Sequence, residues 1–325
     1  MYSKTLNPLV KGDFVVYEFT VVKNGGKIAY TKMKVNEPSE IYLFDGVEVK
    51  LTRFNEYFTK KYKLQTPQHF TFKASDNVNV EGWILPPLEE VKRDKNPAVV
   101  FIHGGSKGSY GYSFNFIHQL LASKGYVVIY SNPRGSDGYS EEFADIRRHY
   151  GERDYKDIME MLDYVLSHYE GIDENNLAVT GISYGSFMTN WIVTQTNRFK
   201  AAISENGISN WRIDFGTSDI GYFFDPDQIG DDPWSNSEGH FKCSPINYVK
   251  NVKTPIMLIH SMEDYRCYVE QSIAFHVALR YFGKESRLIM FTKGSHAHSI
   301  MAKPKHRLKR FKLILRFLDE KLKKK

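Results

Sequence analysis

An α/β fold, with a mostly parallel central sheet flanked by helices and a small all-β region ahead of it, is predicted by three features of this 325-residue chain. From Pro97 onward, short apolar runs of strand length alternate with segments of helical period. Before about residue 85 the pattern is strands and turns only. Within the alternating half lies Gly181-Ile182-Ser183-Tyr184-Gly185, set between a short strand at 176–180 and an apolar helix at 187–196.

In the first region, residues 14–20 and 27–32 flank a turn at Asn24-Gly25-Gly26. Residues 40–44 and 47–52 flank Asp45-Gly46, a hairpin signal. Residues 69–73 and 78–83 flank Asp76-Asn77, and Pro86-Pro87 with the charged stretch 89–95 closes the region. The alternating half then reads as strand 98–102, helix 113–122, strand 126–130 and helix 154–169, the last with Ile158, Leu162, Val165 and Leu166 on one face. After the Ser183 turn come strand 201–204, a long excursion, strand 255–259, helix 270–281, strand 287–291 and a basic terminal helix. Short, nearly continuous apolar strands suit a parallel sheet covered on both faces.

Composition narrows the function classes. Hydrophobic residues make up 42% and charged residues 25%, as in an ordinary globular protein. No apolar run is long enough to span a membrane, and the N-terminus lacks the apolar run of a signal peptide, so a cytoplasmic protein is expected. Two cysteines, Cys243 and Cys267, make neither a disulfide framework nor a metal site, though a single bridge between them stays open. The net charge of +6 is uneven: residues 302–325 hold 11 Lys/Arg against 2 Asp/Glu, leaving the rest at −3. Leucines and phenylalanines at helical spacing in that tail predict an amphipathic helix docked on the sheet, its basic face in water, rather than a nucleic-acid site.

Strand, tight turn and helix are the context in which Gly-x-Ser-x-Gly forms a nucleophile elbow. A serine nucleophile needs a base, an orienting carboxylate and an oxyanion hole. In α/β-hydrolases the acid and base follow the serine, in loops after later strands. The loop after strand 255–259 offers Glu263 and Asp264; that after strand 287–291 offers His296 and His298. The candidate triad is Ser183, Asp264 and His296, with Glu263 and His298 as rivals on spacing alone. The expected oxyanion donors are the backbone N–H groups of Tyr184 and of Gly105, in the glycine-rich loop after strand 98–102.

These motifs do not stand alone. In chain order there are Glu81-Gly82-Trp83-Ile84-Leu85-Pro86, Phe101-Ile102-His103-Gly104-Gly105, Asn132-Pro133-Arg134-Gly135-Ser136 with Gly138-Tyr139, and the elbow. Cys243-Ser244-Pro245-Ile246, Lys253-Thr254-Pro255, the run from His260 to Cys267, and Lys303-Pro304 with His306-Arg307 follow. With this set, over roughly residues 38–320, the chain resembles the catalytic part of the prolyl oligopeptidase family of serine peptidases, nearest in pattern to its acylaminoacyl-peptidase branch.

The resemblance implies an α/β-hydrolase fold over residues 66–325, preceded at 1–65 by a β-propeller remnant of one or two blades. It implies Asp264 as acid and His296 as base. Arg266 would hold a substrate carbonyl or carboxylate, and Tyr222, Phe223 and Phe224 lie where the family builds an apolar S1 pocket. Arg134 is expected to be structural. Two departures are visible: Ser106 stands where the family usually has proline, and His298 where it usually has leucine. Open sheet edges in a partial propeller predict a homo-oligomer, or a partner chain supplying missing blades. The expected function is a serine peptidase acting at or near the N-terminus of short peptides, without cofactor or metal. The alternatives are a carboxylesterase with the same machinery and an inactive interaction module.

Overall fold

The computed structural model describes residues 7–323 apart from Asn24. Strands β1 (Val15–Val21), β2 (Ile28–Lys34), β3 (Glu37–Phe44) and β4 (Glu48–Lys50) form an antiparallel four-stranded sheet in sequential order. The turn expected at 24–26 lies between β1 and β2, with Asn24 outside the described residues. Helix α1 (Glu56–Lys61) follows, an element the all-β reading of this region did not include. It is anchored by a buried carboxylate. Glu40 accepts hydrogen bonds from the N–H groups of Phe54 (3.1 Å) and Asn55 (2.7 Å) and from Thr52 Oγ1 (2.5 Å).

The main sheet has eight strands in the order β12-β11-β10-β9-β7-β8-β6-β5. They are β5 (Gln68–Lys73), β6 (Asn79–Leu85), β7 (Asn96–Ile102), β8 (Val127–Asn132), β9 (Ile172–Ile182), β10 (Ala201–Glu205), β11 (Ile256–Ser261) and β12 (Ser286–Phe291). β7 to β12 are mutually parallel; the β5–β6 hairpin joins antiparallel at one edge, through β6 on β8. By its strand-and-turn pattern this hairpin reads with the β-rich front region, while the resemblance puts it within 66–325. Its residues Phe70, Phe72, Val80 and Ile84 bury into the core of the eight-stranded sheet.

The helices are α2 (Phe116–Ala122), α3 (Glu141–Ala144), α4 (Arg153–His168), α5 (Tyr184–Gln195), α6 (Trp211–Thr217), α7 (Gly221–Asp225), α8 (Ser237–Lys242), α9 (Glu270–Tyr281), α10 (His298–Met301) and α11 (Pro304–Leu322). Strand alternation divides the core in two. Ala98, Val100 and Ile102 of β7 face α4, α5 and α9, while Val99 faces α2 and α11 with Val128, Ile203 and Met257. Ile314, Phe317, Leu318 and Leu322 bury one stripe of α11 on that second face, so the basic tail is the docked amphipathic helix its spacing predicts.

Arg134 is structural. Its guanidinium is forked onto the fully buried Asp157 of α4 and also reaches Asp76 in the β5–β6 turn. No described helix is long and apolar enough to cross a membrane. Cys243 and Cys267 are both free thiols, not a bridge.

Candidate active site

Ser183 alone separates the end of β9 from the start of α5. Its backbone lies at φ 62° and ψ −123°, a region costly for any residue with a Cβ. The neighbouring glycines are required by close packing. A Cβ on Gly181 would lie 2.4 Å from Gly185, and one on Gly185 would lie 2.2 Å from Ile102 O. The turn is held because Ser183 N donates to Glu205 O at 3.0 Å and Ser183 O accepts from Ser186 N and Phe187 N.

The loops after β11 and β12 bring the other two groups in. His296 Nε2 lies 2.9 Å from Ser183 Oγ, and His296 Nδ1 lies 2.8 Å from Asp264 Oδ2. Asp264 is wholly buried, and its Oδ1 accepts from the N–H groups of Arg266 (2.9 Å) and Cys267 (3.1 Å). Glu263 turns the other way, to Lys293 Nζ and Gly294 N. His298 is buried against Phe291, with neither ring nitrogen hydrogen-bonded. The geometry therefore joins Ser183, His296 and Asp264 and leaves both rivals aside.

Asn206, which sequence reasoning missed, ties these loops together. Its side chain accepts from Ser261 N at 3.0 Å and donates to His296 O at 3.2 Å. An asparagine after a strand carries no local signal of such a role.

Tyr184 is the first residue of α5, so its N–H has no acceptor within the helix. Its phenol is fixed by the buried Asp154, 2.8 Å away. Burial pushes the Asp154 carboxyl up to about 6, against the hydrogen bonds from Tyr184, Gly151 and Tyr155. Gly105 lies across from Tyr184 at φ 138°, where a Cβ would sit 2.5 Å from Gly108 N. Ser106, in place of proline, is buried with its hydroxyl 3.3 Å from Tyr150 Oη.

Ser183, His296, Tyr184 and Gly105 open onto a cavity of about 280 Å³. Its walls include Tyr150, Phe187, Ile208, Trp211, Ile220 and Phe224. Of the three aromatics expected to form the S1 pocket, only Phe224 lines it. Tyr222 and Phe223 are 71% and 55% exposed, because a single helical turn presents one face inward. Arg266 lines the mouth, held by Asp219 through Nε at 2.7 Å and Nη2 at 3.3 Å. Cys267 also lines the cavity, and burial keeps its thiol well above the usual range. A larger cavity of about 840 Å³ lies between α2 and α11 and contains neither Ser183 nor His296. Among the described residues no group of His, Cys, Asp or Glu is arranged to hold a metal ion.

Residues 112–325 match the profile of the Prolyl oligopeptidase family. The chain is 41% identical over 292 residues to the uncharacterized peptidase YuxL of Bacillus subtilis (strain 168), covering 89% of this chain and 44% of that protein. It is similar to Pyrococcus horikoshii acylaminoacyl peptidase, with a TM-score of 0.94 and 44% identity over all of this chain and 52% of the other. An acylaminoacyl peptidase in complex with Z-Gly-Gly-Phe-chloromethyl ketone matches equally, with a TM-score of 0.94 and 44% identity over 100% of this chain and 52% of that one. The chain thus spans about half the length of these relatives. With the matched region containing the elbow and both of the later loops, the chain belongs to the prolyl oligopeptidase family.

Proposed function

We propose that this chain is the catalytic part of a serine peptidase that cleaves peptide bonds at or near the N-terminus of short peptides, in the manner of an acylaminoacyl peptidase. The relay from Asp264 through His296 to Ser183 is the observation that carries the reading. Ser183 Oγ attacks the scissile carbonyl while His296 Nε2 takes its proton. Asp264 holds the Nδ1 proton and stabilises the imidazolium. The N–H groups of Tyr184 and Gly105 receive the charge developing on the carbonyl oxygen. His296 then protonates the leaving amine, and water releases the acyl group by the reverse sequence.

The aromatic cavity beside Ser183 takes the P1 side chain, and Arg266 at its mouth meets a substrate carbonyl or carboxylate. A relative's complex with a tripeptidyl compound ending in Phe supports an aromatic P1 residue. An acetyl-phenylalanine anilide is expected to turn over. A carboxylesterase with the same triad would cleave the matching activated ester while leaving the anilide untouched, since the amine is the poorer leaving group.

We further propose that the four-stranded antiparallel sheet β1–β4 is a blade of the β-propeller kind. Tyr17, Phe19 and Val21 of the edge strand β1, and Val49 on β4, are exposed. Such edges pair with another chain. Light scattering at micromolar concentration is expected to show an oligomer; a monomer would remove this reading.

A further inference from the structure

The largely apolar wall of the cavity beside Ser183 carries one carboxyl group, that of Asp214 of α6. Against Asp214 lies Asp225, the last residue of α7. The two meet because Gly221 lets α7 start directly on α6: a Cβ there would be 2.4 Å from Asp214 O. Asp214 is 2% exposed and Asp225 is 0% exposed.

Almost nothing compensates these carboxyls. Among the described residues Gln271 of α9 donates to Asp214 Oδ1 at 3.2 Å, and neither oxygen of Asp225 has a hydrogen-bond donor. The Trp211 Nε1–H, in the same cavity wall, is buried and also unpartnered. Among the described residues no Lys, Arg or His is hydrogen-bonded to either carboxyl, and Arg212 of α6 and Arg148, against Gly230, are exposed. Asp264 and Asp219 are anionic neighbours of Asp214, and Arg266 is forked onto Asp219. Tyr150 lies toward Asp225 as well as Asp154 and Asp227, Cys267 toward Asp214, His296 on Asp264, and His240 of α8 on Asp231 O.

A buried carboxylate without a partner costs several kcal/mol, and a proton or an entering cation relieves it. Burial raises both carboxyls above the ordinary range, with repulsion from Asp264 and Asp219 adding at Asp214 and repulsion from Asp214 adding at Asp225. The pair therefore retains a proton when the cavity is empty. The walls suit an entering cation: Tyr150, Phe187, Trp211 and Phe224 fit an aliphatic stem and attract a guanidinium at their faces.

Resting on the peptidase reading above, we propose that the Asp214–Asp225 pair gives this pocket a second substrate class, peptides whose P1 side chain is cationic, alongside those with an aromatic P1 residue. Cation entry and loss of the pair's proton favour each other. Preference for a cationic P1 residue accordingly rises with pH.

The test compares acetyl-arginine and acetyl-phenylalanine anilides from about pH 6 to about pH 9, arginine being charged throughout. The ratio of their kcat/KM values cancels the titration of His296, which both substrates share. The arginine-to-phenylalanine ratio is expected to rise about tenfold across this range, and to fall about tenfold at its alkaline end in Asp225→Asn and in Asp214→Asn. A wild type that cleaves the phenylalanine substrate but not the arginine one overturns the inference. A ratio that is flat with pH and unchanged in both variants does the same. If neither anilide is cleaved, the peptidase reading fails, and calorimetry with n-butylguanidinium then decides the pocket's preference separately. Binding that tightens with pH and is lost in Asp225→Asn supports the cation site; equal binding by wild type and variant overturns it.

Discussion

Replacing Ser183 with alanine is expected to lower kcat for acetyl-phenylalanine anilide by about 10⁵-fold or more, roughly 7 kcal/mol of transition-state stabilisation. The size follows from what is removed. Among the described residues Ser183 Oγ is the only hydroxyl hydrogen-bonded to His296 Nε2, so the proposed covalent route is expected to be lost as a whole. The residual rate comes from binding and from the Tyr184 and Gly105 amides. The backbone of the elbow is kept by Glu205 O, Ser186 N and Phe187 N, not by the Ser183 side chain, so the variant is expected to fold. Steady-state kinetics with thermal melting of both proteins checks this. A variant that folds and retains more than about 1% of the activity would assign the nucleophile elsewhere.

The second large effect is expected at Asp264→Asn, about 10⁴-fold in kcat. Here the neighbours dictate the outcome. Asp264 Oδ1 accepts two backbone N–H groups, from Arg266 and Cys267. In the variant only the amide oxygen can accept those bonds, so the NH₂ group must face His296 Nδ1. That nitrogen then has to accept, which puts the imidazole proton on Nε2. A protonated Nε2 donates to Ser183 Oγ and cannot take its proton. The loss should appear in kcat with KM little changed, because Asp264 does not itself line the cavity. Glu263→Gln gives the contrast: its carboxylate is spent on Lys293 and Gly294, and a loss beyond about threefold there would question the assignment of the acid.

The two substitutions, one residue apart, show how differently neighbouring positions are decided. Asp264 and Glu263 are equivalent by spacing in the loop after β11. The backbone direction leaving Ser261 turns one inward beneath His296 and the other outward to Lys293. Resemblance to known motifs selects Asp264, and the hydrogen bonds supply the physical cause.

Much of the fold was legible because its signals are local. Apolar runs of β7, β8, β10 and β11 are continuous because both faces of a parallel sheet are covered. The stripe on α11 repeats at helical period, and Gly181 and Gly185 mark a turn too crowded for any Cβ. These features depend on residues within a few positions of one another, so the sequence by itself determined the sheet and the elbow; it put Asp264 and His296 in their loops but left Glu263 and His298 beside them as equals on spacing. Orientation and long-range proximity were another matter. Which of Tyr222, Phe223 and Phe224 faces the cavity depends on how a one-turn helix lies on α6. Tyr150, Phe187 and Trp211 share a wall only after helices far apart in the chain pack together. Asn206 bonds to a carbonyl 90 positions away, and Asp214 meets Asp225 only because Gly221 lets two helices touch. Tertiary structure alone decided these, because contact between distant segments leaves no period, turn or spacing in the chain that makes it.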